Sequence, residues 1–146
     1  MKQTETRQSI TKAFNAAIEG ILYTFKSERN MKIHYFLAVA VLIISLFFDL
    51  TKVEMLLLTF AISLVVISEM FNTAIEKTID MITEEYNPLA KIAKDVAAGG
   101  VLIATLNSVV VGYILFYDKI KPMFYPLLLI ILIIAFIGIK NLNKDK

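Results

Sequence analysis

Four apolar runs, Ile33 to Leu50, Val53 to about Phe71, Val96 to Tyr117 and Met123 to Ile139, restrict what this chain can fold into more than any short motif does. Each comes near the roughly 20 residues that a helix needs to cross a bilayer. A segment in lipid must satisfy its own backbone, which helices do within themselves. The expected fold is therefore an all-α integral membrane protein. Composition agrees, at 58% hydrophobic and 19% charged residues with a mean hydropathy of +0.69, against about 25% charged in a soluble domain. A length of 146 residues points to one domain, and spans this few cannot enclose a wide pore alone, so oligomerisation is expected. Cysteine is absent, which excludes disulfides, thiolate metal sites and a cysteine nucleophile. Residues 1 to 30 lack the continuous apolar core of a cleavable signal peptide.

Between the runs the polar residues set boundaries. Residues 1 to 8 are polar and expected to be loose. From Ser9, apolar Ile10, Phe14, Ile18, Ile21, Leu22 and Phe25 recur every three or four residues, so an amphipathic helix over about 9–27 is expected to lie in the membrane interface. Lys26, Glu28, Arg29 and Lys32 then mark the water boundary. Spans are expected over about 33–50, 53–71 and 96–117, the second running on into water to about Thr83. Asp49, Thr51 and Lys52 form a turn, and Pro88 bars helix through Asn87. Asp118, Lys119, Lys121 and Pro122 read as another turn, closing a unit over 1–118 and leaving an uncharged fourth span with its tail in 119–146.

With the N-terminus in the cytoplasm, all Lys and Arg except Lys52, Lys119 and Lys121 fall on the inner side. The positive-inside rule thus favours cytoplasmic termini and a cytoplasmic loop over 72–95.

That loop completes the most informative stretch of the chain. At about 100° per residue, Asn72 lies about 300° round from Glu69, Glu76 about 340° and Asp80 about 20°, so the four share one face. Acids at such depth are costly unless paired, and a cation, with or without a phosphate, is the natural partner. Magnesium takes one or two protein carboxylates and fills its shell with water and nucleotide phosphate. Glu76, one to two turns beyond the hydrocarbon edge, suits that role, with Glu28 as its partner from another helix. Lys94 offers a point charge to phosphate oxygens. Glu69 sits deepest, after Leu64 to Ile67. A carboxylate with little water around it accepts a proton more readily, and at that depth the donor is a hydroxyl on a lipid.

Simpler roles compete with these. Glu69 can be a structural hydrogen-bonding group between helices, and Glu28 an ordinary pair with Lys32 at i+4. Asp80 can end the solvated stripe, Glu84 and Glu85 can form a hydrated face, Lys91 can reinforce topology, and His34 can anchor at the interface. Gly99 and Gly100 suit close helix packing, since the glycine-rich GxxxxGK[ST] loop is missing. Tyr113, Phe116 and Tyr117 suit an interfacial belt.

Three blocks also carry a resemblance: Glu28-Arg29-Asn30 with His34 following; Glu69-x-x-Asn72-Thr73-Ala74-Ile75-Glu76-x-x-x-Asp80; and Pro88-Leu89-Ala90-Lys91-x-Ala93-Lys94-Asp95-x-Ala97-Ala98-Gly99. Together, over about residues 9 to 117, they resemble the prokaryotic diacylglycerol kinase family, and most closely its Gram-positive branch, which includes undecaprenol kinases. The resemblance implies a homotrimer in the bacterial cell membrane, with a surface helix and three membrane helices per subunit, using Mg-ATP. It implies Glu69 as general base, Glu28 and Glu76 on Mg²⁺, and Asn72, Lys94 and Asp95 at the nucleotide, with Glu85, Tyr86 and Asn87 where the family's loop touches it. The fourth span is extra to that pattern, and no fused phosphatase domain follows it.

The expected activity is transfer of the γ-phosphoryl group of ATP to a lipid hydroxyl, with undecaprenol as first substrate and diacylglycerol as second. Nucleic acid has no place in this reading. Acids on the helices of one short subunit are expected to converge poorly alone, which places the site between protomers. The rival from another class is a four-span exporter cycling a proton on Glu69, which gives no reason for Lys94, Asp95 and a carboxylate stripe reaching water. A scaffold subunit without chemistry is the third reading.

Overall fold

The computed structural model describes the backbone of residues 2–83 and 85–142 and the side chains of 10–83, 85–122, 124, 126 and 128–134. Glu84, expected on a hydrated face, lies outside the described residues, as do the side chains of Lys2, Arg7, Lys140, Lys144 and Lys146 used in the charge count. The described chain is helical: α1 over Lys2–Ser27, α2 over Arg29–Ser45, α3 over Lys52–Ile82 and α4 over Pro88–Leu142. It divides into two compact units, Met1–Ser108 and Val109–Lys146.

In the first unit α1, α2 and α3 pack on one another. One residue separates α1 from α2: Glu28, with extended backbone at φ −97°, ψ 125°, still donating its N–H to the Thr24 carbonyl at 3.0 Å. The helix of α1 reaches back to Lys2, further than the polar residues at its start suggest. Its apolar residues Ile10, Phe14, Ile18, Ile21 and Leu22 remain exposed, as a face meant for lipid or a partner would be.

Where a span over 33–50 is expected, the chain forms the shorter α2, which ends at Ser45 and whose 17 residues rise about 25 Å. Among the described residues, two helical stretches are long and apolar enough to cross a membrane, Lys52–Ile82 and Pro88–Pro122. The first begins with a capping box: the Thr51 backbone N–H donates to Glu54 Oε2 at 2.7 Å and the Glu54 N–H to Thr51 Oγ1 at 3.3 Å, an arrangement whose cap contributes about 1 kcal/mol. Leu58, Ala61, Val65, Glu69 and Thr73 form its buried stripe, so Glu69 occupies a packing position. The hydroxyls of Ser68 and Thr73 donate back to the carbonyls of Leu64 and Glu69, at 2.8 and 2.9 Å, which removes their need for other partners in lipid.

At its far end α3 ends at Ile82, near the expected Thr83, and no helix runs through Asn87, as Pro88 predicts; α4 starts at Pro88, ahead of the span expected from 96. The Asn87 Oδ1 accepts from the N–H groups of Leu89 and Ala90 at 2.9 and 3.3 Å, with Pro88 at the first helical position.

The second unit corrects the expected turn at 118–122. Helix α4 continues through Asp118, Lys119, Lys121 and Pro122, so the separate fourth span lacks the turn that would make it one. The physical reason lies in four-residue spacings. The rings of Tyr113 and Tyr117 lie 5.0 Å apart and the Lys121 ammonium lies 5.9 Å from the Tyr117 ring centroid, contacts that a helix makes between residues i and i+4. A proline removes one backbone donor, which a membrane helix tolerates.

Candidate functional site

Glu69 is 2% exposed. From α2, His34 brings its Nε2 to 3.3 Å from Glu69 Oε1, at ion-pair distance. The ring nitrogen is not aimed for a hydrogen bond, and Oε1 has no donor of good geometry among the described residues. Three residues on, the Asn72 Nδ2 donates to Glu76 Oε1 at 2.9 Å while the Asn72 Oδ1 is buried without a donor. The charges of Glu28 and Glu76 both act on Glu69. Among the described residues these acids do not form a group of three that could hold a metal ion.

The break at Glu28 puts this residue at the junction of two helices that both pack on α3. The competing role for Glu28, a pair with Lys32, is not what forms: its Oε1 accepts instead from the Ser27 hydroxyl at 3.1 Å.

A cleft of about 290 Å³ opens beside Glu69, lined by Asn30, His34, Asn72, Ala98, Val101, Leu102 and Thr105. One end is polar and the wall from α4 is largely apolar. Unpaired acceptors at the polar end call for a group with a hydrogen to give.

A second cleft, about 700 Å³, lies at the water end of α3 and α4. It gathers Glu85, Tyr86, Asn87, Lys94 and Asp95, five of the residues expected at the nucleotide, together with Asp80, Thr83 and Lys91. Glu28, Asn72 and Glu76, the other three, belong to the group around Glu69. From Glu69 to Asp80, α3 rises about 16 Å, with Glu76 between the two clefts.

Two ion pairs cross or line the lower cleft. Lys94 Nζ donates to Asp80 Oδ1 at 2.5 Å, joining α4 to α3, and Lys91 Nζ to Asp95 Oδ2 at 2.6 Å. Asp80 thus holds Lys94 in place, a role beyond ending the stripe, and Lys91 answers the charge of Asp95. The hydrogen bond from Lys94, with its positive charge, keeps the Asp80 carboxyl below the usual carboxylate range. A group depressed in this way contributes stability above its ordinary pKa and loses it as the pH falls through the lowered one. The expected outcome is a small difference in melting temperature between the wild type and Asp80→Asn that persists from pH 7 to 5 and closes below about pH 4.

His34 and Asn30 stood in the sequence as an anchor and an unremarked neighbour; the structure makes both part of the Glu69 cleft. Their signal was position: both stand in the first turns of α2, beside the charged cluster of Lys26, Glu28, Arg29 and Lys32.

A model of the family described as prokaryotic diacylglycerol kinase matches residues 15–116. The chain is 39% identical over 109 residues to undecaprenol kinase of Bacillus subtilis, covering 75% of this chain and 89% of that protein. It is 41% identical over 101 residues to a diacylglycerol kinase of Synechocystis, covering 68% of this chain and 58% of the relative. A diacylglycerol kinase of Haemophilus influenzae is 32% identical over 102 residues, covering 69% of this chain and 86% of its own. With a family model spanning most of its length and lipid kinases as its relatives, this protein belongs to the prokaryotic diacylglycerol kinase family.

Proposed function

We propose that the protein phosphorylates the hydroxyl of a membrane lipid at the expense of Mg-ATP, with undecaprenol as the preferred acceptor and diacylglycerol as the second. The observation that carries this reading is the buried carboxylate of Glu69, one oxygen of which lies at ion-pair distance from His34, facing a cleft with an apolar wall. Such a group suits a neutral alcohol presented from the bilayer: the hydroxyl gives its proton to Glu69 as its oxygen bonds to the γ-phosphorus, the bond from that phosphorus to the β–γ bridging oxygen breaks, and ADP leaves with the bonding electrons.

Glu28 and Glu76 are the carboxylates for magnesium. Magnesium takes one or two carboxylates and completes its shell with water and phosphate, so these two would suffice. The donor set is oxygen only, as magnesium requires, and Asn72 Oδ1 adds a free acceptor. When bound, the ion supplies neutralisation of the triphosphate charge.

In this reading ATP occupies the lower cleft with its phosphates toward Glu76. Lys94 steadies them, Asn72 and Asp95 orient the reactants, and Glu85, Tyr86 and Asn87 border the nucleotide. Phosphoryl transfer needs chiefly positioning and charge neutralisation, which these few groups provide. The protein works as a homotrimer in the bacterial cell membrane with its N-terminus in the cytoplasm. Neighbouring copies cover the exposed apolar faces of α3 and α4 and complete the site, which lies between protomers.

Family membership favours this reading over the proton-coupled exporter. The preference for undecaprenol rests on the Bacillus relative, which covers this chain more fully than the Synechocystis one. Assay of the purified protein with Mg-ATP and each lipid in mixed micelles tests it. The expected outcome is a higher kcat/KM for undecaprenol; a higher value for diacylglycerol would reverse the assignment, and no transfer to either would remove it.

A further inference from the structure

We propose that His34 is the positioning residue of Glu69, holding one carboxylate oxygen so that the other meets the acceptor hydroxyl. The inference rests on reading Glu69 as the proton acceptor. The ring stands on α2 and the carboxylate on α3, with Nε2 and Oε1 3.3 Å apart and the two side chains 18% and 2% exposed. Catalytic contacts in a protein without substrate are often long or poorly aligned and tighten when it binds, so this distance is one from which a small rotation completes the hydrogen bond.

The groups around Glu69 give His34 its importance. Glu28, at the α1–α2 junction, and Glu76, a little further along α3, press on it with like charge. From α4 the cleft presents Ala98, Val101, Leu102 and Thr105, none of them charged. The amide nitrogen of Asn72 is spent on Glu76. Among the residues that line the cleft or act on Glu69, His34 is the one able to carry positive charge toward it. With His34 removed, the carboxylate sits between two acids with nothing to fix its direction, and it turns from the cleft.

The test uses the full chain and whichever of the two lipids the wild type phosphorylates. His34→Leu keeps most of the volume and deletes the donor. His34→Gln places an amide nitrogen near the position of Nε2. Glu69→Gln monitors the underlying reading. The expected result for His34→Leu is a fall in kcat of about a hundredfold, the scale of an ångström's misplacement, with the KM for ATP unchanged, and recovery of most of the loss in His34→Gln. A residue that merely supported packing would be replaced better by leucine than by glutamine. Should His34→Leu fail to fold, His34→Asn, whose shorter amide stops short of Glu69, takes its place. Wild-type kcat in the donor-less variant, or equal losses with leucine and glutamine, alongside an inactive Glu69→Gln, would overturn the role of His34 and leave Glu69 as the base. An active Glu69→Gln would remove both.

Discussion

Glu69→Gln is expected to lower kcat by roughly 10²- to 10⁴-fold, the contribution of a positioned base, and to leave the fold intact. Glutamine has nearly the same shape, so the buried stripe from Leu58 to Thr73 keeps its packing. The Thr73 hydroxyl bonds to the backbone carbonyl of residue 69 and does not sense the change. What the substitution removes is a negative charge on which Glu28 and Glu76 press. The melting temperature should therefore stay level or rise while activity disappears. Radiolabel transfer from ATP to lipid, read beside thermal denaturation in the same detergent, checks both halves. Turnover at the wild-type rate would mean that another group takes the proton, while loss of folding would mean that the carboxylate is structural.

The second large effect is expected at Lys94. Lys94→Met should lower kcat/KM for ATP by roughly 10²- to 10³-fold, as when one preorganised donor to a phosphoryl group is lost. The lysine also ties α4 to Asp80 on α3, so a loss could follow from the broken tie alone. Asp80→Asn separates the two causes, because it removes the tie and spares the ammonium. If Lys94 acts on phosphate, Asp80→Asn retains most of the activity and the double variant is as impaired as Lys94→Met. If Lys94 serves only the tie, the two single variants lose the same amount and the double loses no more.

Much of the site was legible because it is written along one helix. Glu69, Asn72 and Glu76 share a face by arithmetic that needs no tertiary knowledge, and Asn72 does bond to Glu76 one turn on. The break at Asn87-Pro88 was equally plain, while α4 starts at Pro88, ahead of the span expected from 96. Periodicity is silent where a residue's meaning comes from another helix. His34 is a lone histidine until α2 is docked on α3, and Asp80 and Lys94, fourteen positions apart, meet across the turn between α3 and α4. The misread turn at 118–122 has a different origin. Charges and a proline end helices in water, where the freed backbone finds solvent. In α4 the same residues sit on a helix whose aromatic and lysine side chains stack at four-residue intervals. The end of α1 at Ser27 was legible too, since the amphipathic pattern stops there and a charged cluster follows it.

The Glu69 carboxylate and the unpaired oxygen of Asn72 also bear on how the proposed cycle ends. An alcohol arrives with a hydrogen to offer them. Its phosphate ester carries none to spare at neutral pH, so once Glu69 has returned its proton to water the product matches this end of the cleft less well than the reactant did. In the proposed reaction, the acceptors that favour entry of the alcohol then favour departure of the ester.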